Sequence, residues 1–113
     1  MHELALMEEL RRIALEAAVA QGARRIHAMR LRVGRLSGVD PEALRFAFEV
    51  VMAEGMASGA QLELEVVPSR CRCGPCGAPF EPEDLILVCP HCGAPAAEVL
   101  AGRELELIGL EVT

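Results

Sequence analysis

Cys73-Gly74-Pro75-Cys76-Gly77 and Cys89-Pro90-His91-Cys92-Gly93 are two C-x2-C knuckles, separated by residues 77–88. Two thiolates three positions apart on a tight turn can reach one ion, at a Zn–S distance of about 2.3 Å. Two such turns facing each other complete a tetrahedron. A glycine follows each second Cys, where the turn needs a permissive backbone and where amide N–H groups can point at sulfur. This spacing reads as a four-thiolate zinc site. Four thiolates leave no open coordination position, so the site is structural rather than catalytic. Iron also accepts a thiolate tetrahedron, but nothing around the knuckles resembles an electron-transfer pocket.

All five Cys lie between residues 71 and 92. A disulfide framework would spread them along the chain and would usually use an even number. Clustered Cys without a signal peptide point to a metal in a reducing compartment. The fifth, Cys71, forms C-x-C with Cys73. Their side chains are expected on opposite faces of an extended segment, which leaves Cys71 a free thiol. His91 is expected to face solvent, and His27, at a strand start, to be a surface or packing residue.

His2 offers a different chemistry. The α-amine, the His2 amide nitrogen and the His2 imidazole form fused chelate rings, and such nitrogen donors suit square-planar Ni(II) or Cu(II). A large side chain at position 2 also disfavours removal of Met1. A polar residue near a chain end equally often has no role at all, so the residues alone leave both readings open.

The chain is 113 residues and 52% hydrophobic, which excludes a disordered polypeptide and fits one compact domain with a small appendage. Three Phe and no Trp or Tyr make the core aliphatic and argue against a base-stacking platform. The net charge is −6, and every base is Arg. An acid excess disfavours binding to nucleic acid through its phosphates. The polar, acidic start Met1-His2-Glu3 is unlike a signal peptide, and runs such as Leu85 to Val88 are too short to cross a bilayer. A cytoplasmic location with no membrane association is expected. No nucleophile–base set, P-loop or open zinc position supports an enzyme.

The elements that must position these groups follow from periodicity. Leu4 to Gln21 reads as a helix with an apolar stripe of Leu4, Met7, Leu10, Ile13, Ala14, Ala17 and Ala18, stopped by Gly22. Ile26 to Leu36 reads as a strand, with Met29, Leu31 and Val33 alternating with Arg30 and Arg32. Asp40-Pro41-Glu42 starts a second helix, to about Glu54, that buries Leu44, Ala47, Phe48 and Val51. Gln61 to Val67 is a strand with Leu62, Leu64 and Val66 on one side and Glu63 and Glu65 on the other. Glu104 to Val112 is another, with Leu105 and Leu107 inside, Glu104 and Glu106 outside and a bulge or bend near Ile108-Gly109. Opposite charges on neighbouring strands place the Arg strand beside at least one Glu strand.

The fold class is therefore α+β: a three-stranded sheet with two helices on one face, plus an inserted zinc-ribbon-like subdomain. The insertion runs from residue 69 to 102, is dense in Cys, Pro and Gly, and has room for a short hairpin over 80–88. The remaining residues, 1–68 and 103–113, make the α+β domain.

Met1-His2-Glu3-Leu4, the run from Gly38 to Phe48, Phe80-Glu81-Pro82 and Cys89-Pro90-His91-Cys92-Gly93 together resemble the HypA/HybF hydrogenase-maturation family over essentially the whole chain. That resemblance implies a nickel metallochaperone, with a nickel-binding α+β domain and Ni(II) as cargo. The nickel site would be Met1, His2 and Glu3. The zinc site would be Cys73, Cys76, Cys89 and Cys92, with Zn(II) as a structural cofactor. The implied partners are a GTPase of nickel insertion and the large subunit of a [NiFe]-hydrogenase, with the chain a monomer or weak homodimer. Cys71 departs from the family's pattern. The competing classes are a zinc-ribbon interaction or regulatory protein without a nickel role, and a rubredoxin-like electron carrier.

Overall fold

A computed structural model describes residues 3–82 and 86–113. The first helix, α1 (Glu3–Ala20), ends where the amides of Gly22 and Ala23 return to the carbonyls of Val19 and Ala18. This is a Schellman closure, and it requires the left-handed φ of 71° that Gly22 supplies. Met7, Leu10, Ala14 and Ala18 are buried. The stripe is narrower than its periodicity suggests: Leu4, Ile13 and Ala17 are exposed, and Leu6 and Leu15 pack against the core in their place. The helix sits rotated relative to the centre of its apolar arc.

Strand β1 (Ile26–Gly34) follows, then α2 (Pro41–Val51). Asp40 caps α2 as its residue type predicts, its Oδ1 accepting the Glu42 amide at 3.0 Å, with Pro41 at the first helical position. The helix is shorter than expected, stopping at Val51 with Met52 as its cap. Buried Met52 and Ala57 draw the chain inward, and one 3-10 turn, Gly55–Ala57, replaces the last helical turn. Strand β2 (Gln61–Val67) then runs parallel to β1, with α2 as the crossover. The last strand, β6 (Leu105–Val112), lies antiparallel on the other side of β1, giving the order β2-β1-β6.

The charge argument places the strands correctly. Arg30 bonds Glu63 at 3.0 Å, while Arg32 bonds Glu65 at 3.3 Å on one side and Glu106 at 3.4 Å on the other. The bulge is where the pattern slipped: Arg30 pairs with Gly109 and Leu31 with Leu107, leaving Ile108 as the extra residue. On the opposite face Met29, Leu31 and Val33 are fully buried, and both helices cover them. Leu62 and Leu64 join this core, but Val66 is exposed beside the crossing into the insertion. Among the described residues no helix is long and apolar enough to cross a membrane.

Between β2 and β6 the chain builds a second sheet from β3 (Arg70–Cys73), β4 (Pro79–Phe80) and β5 (Ala96–Ala101), in the order β4-β3-β5. Of the hairpin expected over 80–88, residues 83–85 lie outside the described residues. The strands that are described pair differently, with β3 antiparallel to both β4 and β5 and a bridge from Val88 to Pro95.

These contacts separate two kinds of residue on β1. Truncating Leu31 to Ala should cost about 2–5 kcal/mol in urea denaturation, since it opens a cavity at the sheet centre. Arg32→Ala should cost less than about 1 kcal/mol, because its ion pairs are solvated.

Candidate metal centre

The two knuckles have the same backbone. In the first, the Cys73 amide donates to the Ala78 carbonyl at 3.0 Å, and the Gly77 amide to the Cys73 carbonyl at 3.0 Å. In the second, Cys89 donates to Ala94 at 2.8 Å, and Gly93 to Cys89 at 2.9 Å. Each loop closes on a glycine with positive φ, 69° at Gly77 and 74° at Gly93. The first knuckle is the turn between β3 and β4. The second is the turn closed by the Val88–Pro95 bridge.

Strand pairing sets these turns face to face. The four Sγ atoms of Cys73, Cys76, Cys89 and Cys92 lie within 4.8 Å of one another. The Cys73–Cys92 separation is 3.3 Å and the Cys76–Cys89 separation 3.8 Å. A zinc tetrahedron with Zn–S bonds of about 2.3 Å has sulfur–sulfur edges of about 3.8 Å. The donor set and its spacing therefore fit a structural zinc site. Each knuckle contributes one buried thiol, Cys73 or Cys89, and one exposed thiol, Cys76 or Cys92.

The sulfurs do not ionise alike. The Cys76 amide favours the Cys73 thiolate, but burial and hydrogen bonds with the Cys92, Cys76 and Cys89 sulfurs outweigh it and push that thiol up to about 12. Burial opposes ionisation of Cys89. The amides of Cys92 and His91 and the sulfurs of Cys92 and Cys73 prevail there and bring it down to about 6.

Cys71 stays outside the cluster, as expected for a free thiol, but the reason differs. Side chains two apart on a strand share a face, so Cys71 and Cys73 both point inward rather than to opposite sides. Cys71 is fully buried between Phe80 and Val99, its partners on β4 and β5. It packs as a small apolar side chain. Arg72, between them, was given no role by the sequence pattern. It donates to Glu98 at 3.2 Å and to the Gly77 carbonyl at 3.1 Å, tying the first knuckle to β5. The signal was present in the alternation of Arg72 with Cys71 and Cys73. His91 is exposed, and exposed His27 shares a 2.9 Å hydrogen bond between its Nε2 and the Thr113 hydroxyl. Of the nickel candidates, Met1 and His2 lie outside the described residues. Glu3 is the half-buried first residue of α1.

The family described as "Hydrogenase/urease nickel incorporation, metallochaperone, hypA" matches residues 1–112. A relative named hydrogenase maturation factor HypA, from a Picosynechococcus species, is 47% identical over 99% of both chains. The solution structure of the Ni metallochaperone HypA from Helicobacter pylori has a TM-score of 0.67 at 27% identity, covering 99% of this chain and 97% of that one. A second solution structure, of HypA protein, has a TM-score of 0.70 at 26% identity, covering 100% and 97%. The two-helix α+β fold with its four-cysteine cluster defines a protein built to hold a metal ion. The chain belongs to the HypA family of nickel-incorporation metallochaperones, and the hydrogenase-maturation resemblance read from its motifs holds over its full length.

Bound metal must hold the cysteines as thiolates, so protons compete with it. Zinc transfer from this chain to a chromophoric chelator should be slow at pH 7.5 and should accelerate as pH falls, because protons compete with the metal for the thiolates.

Proposed function

We propose that the chain carries Ni(II) at its N-terminus and passes it to the large subunit of a [NiFe]-hydrogenase, together with a partner GTPase. The Met1 amine, the His2 amide and imidazole, and Glu3 are the proposed nickel donors. Cys73, Cys76, Cys89 and Cys92 are the proposed ligands of a structural Zn(II). Residues 1–68 with 103–113 form the nickel-carrying unit, and residues 69–102 form the zinc-binding unit. The setting is the cytoplasm, with the chain a monomer or weak homodimer. The observation that carries this reading is the match to a nickel-incorporation family across residues 1–112. The MHE start and both knuckles fall inside that match.

The chemistry divides as a carrier requires. A cage of four thiolates from two closed turns holds its ion on every side and has no vacancy through which to exchange it. A few nitrogen donors at a chain end surround a cation incompletely and can give it up. Imidazole binds metal only when neutral, so nickel affinity should fall as pH drops through about 6.5.

Calorimetric titration with Ni(II) tests the site. The native chain should bind one equivalent. His2→Ala and a form with residues fused ahead of Met1 should each lose that binding while keeping zinc. Unchanged nickel binding in both altered forms removes the terminal site. Cys76→Ser should show the reverse pattern, losing zinc before it loses nickel.

A further inference from the structure

Neither metal reading uses the edges of the helix-bearing sheet. In the order β2-β1-β6, β2 forms one edge and β6 the other. The two edges differ. β6 shifts register twice against β1, so its edge is interrupted. β2 runs in unbroken register from Ala28–Gln61 to Gly34–Val67, with no bulge, proline or glycine in it. Bulges and prolines are the usual means of blunting an edge strand, and β2 has neither.

The backbone of β2 has a definite sidedness. The Val67 carbonyl accepts the Arg35 amide at 3.0 Å, so Val67 turns its polar groups toward β1. Alternation along a strand turns those of Gln61, Glu63 and Glu65 the same way. The N–H and C=O groups of Leu62, Leu64 and Val66 therefore point to the open edge. Among the described residues they meet no backbone partner. The side chains are equally unfinished. Leu62 and Leu64 are half-buried, whereas Met29, Leu31 and Val33 on β1 are fully buried. On the outer face, Glu106, Arg32 and Glu65 form a row of alternating sign, and Arg30 and Glu63 form a second. Each row ends at β2 on an acid. Among the described residues that acid has an arginine on its β1 side and no base on the other.

We propose that the open edge of β2 is a docking site for an extended segment of a partner protein in which basic and apolar residues alternate. Its backbone would bond Leu62, Leu64 and Val66 as an added strand. Its basic side chains would lie beside Glu63 and Glu65 and continue the alternation of sign. Its apolar ones would cover Leu62 and Leu64 on the helix side. Charge also decides against a second copy of this chain. The edge strands of that sheet carry Glu63 and Glu65 on β2 and Glu106 and Glu111 on β6, so joining two copies there sets acid against acid. The arginine strand β1 is already paired on both sides. This recognition requires neither metal.

Amide spectra of the full, zinc-loaded chain test the site. The probe is a synthetic capped peptide of alternating Val and Lys, compared with a matched peptide carrying Glu in place of Lys. The basic peptide should slow hydrogen exchange at Leu62, Leu64 and Val66 about tenfold at saturation, as one gained hydrogen bond does. Exchange at Glu63 and Glu65, whose amides already bond β1, should stay the same, and β6 should not respond. The acidic peptide should not bind. Glu63→Lys combined with Glu65→Lys should weaken the basic peptide about tenfold and admit the acidic one. If that reversal disturbs the fold, Glu63→Gln with Glu65→Gln should weaken the basic peptide by a smaller factor. Three results would each overturn the site: no protection at Leu62, Leu64 and Val66 by the basic peptide, equal protection by the acidic one, or a preference indifferent to these substitutions.

Discussion

β1 is the central strand of the helix-bearing sheet, paired on both edges, and its burial organises the molecule. Met29, Leu31 and Val33 on its inner face are completely withdrawn from water. Burying them requires α1 and α2 on the same side of the sheet. Its outer face carries Arg30 and Arg32, whose carboxylate partners lie on β2 and β6. These pairs are solvated and add little stability. They favour one arrangement of the strands, because any other would leave acids beside acids. The same strand then continues as Gly34 to Leu36, bonding the end of β2 at Val67, the approach to β6 at Glu104 and the returning linker at Gly102. One segment therefore sets the core, the strand order and the attachment of the cysteine sheet.

The two halves are stabilised by different physics. Among the described residues, fourteen buried ones from the helices, the sheet and the adjoining turns make the larger core. The second core has four among the described residues, and three of those are Cys. An apolar cluster that small cannot offset the entropy of ordering the insertion. Bonds from the four thiolates to a metal would supply what the apolar contacts lack, as they do in other small metal-bound modules. Cys71 belongs to this economy of packing. A larger side chain would not fit between Phe80 and Val99, and a polar one would be buried without a partner.

What the amino-acid sequence reveals about this chain follows from how local the determining interaction is. The knuckles, the Asp40 cap, the Gly22 stop and the slip at Ile108 are each written within a few residues, and each stands where its pattern puts it. The Arg and Glu strands pair as their charges demand, since alternation gives each side chain a face. The departures arise where a distant element decides. Leu4 and Ile13 satisfy the helical period, but the sheet does not reach far enough round α1 to cover them. α2 ends early because Met52 and Ala57 are needed in the core. Strands β3 and β5 are short and broken by register shifts, so no period of two is visible in Ala96 to Ala101. Gly34, at the end of its strand, and Gly102, in the insertion, give no sign of each other until their backbones are seen in contact. At the proposed nickel end, only Glu3 falls among the described residues. That part of the reading rests on donor chemistry and on the family.

The proposed division between a closed cage and an open chain end also bears on how one small protein could handle two similar cations. Zn(II) and Ni(II) cannot be sorted by affinity alone, since nitrogen and sulfur sites bind both. Geometry can separate them. Two identical turns set face to face present four sulfurs at tetrahedral spacing, an arrangement a d¹⁰ ion accepts without cost. A square-planar ion would have to flatten it, against the hydrogen bonds that close each turn. A chain end imposes no such tetrahedron, and consecutive amine, amide and imidazole nitrogens lie naturally in one plane. On this reading the rigidity of the cysteine loops is a selectivity device as much as a structural one. Each cation is left with the donor set whose shape it can adopt.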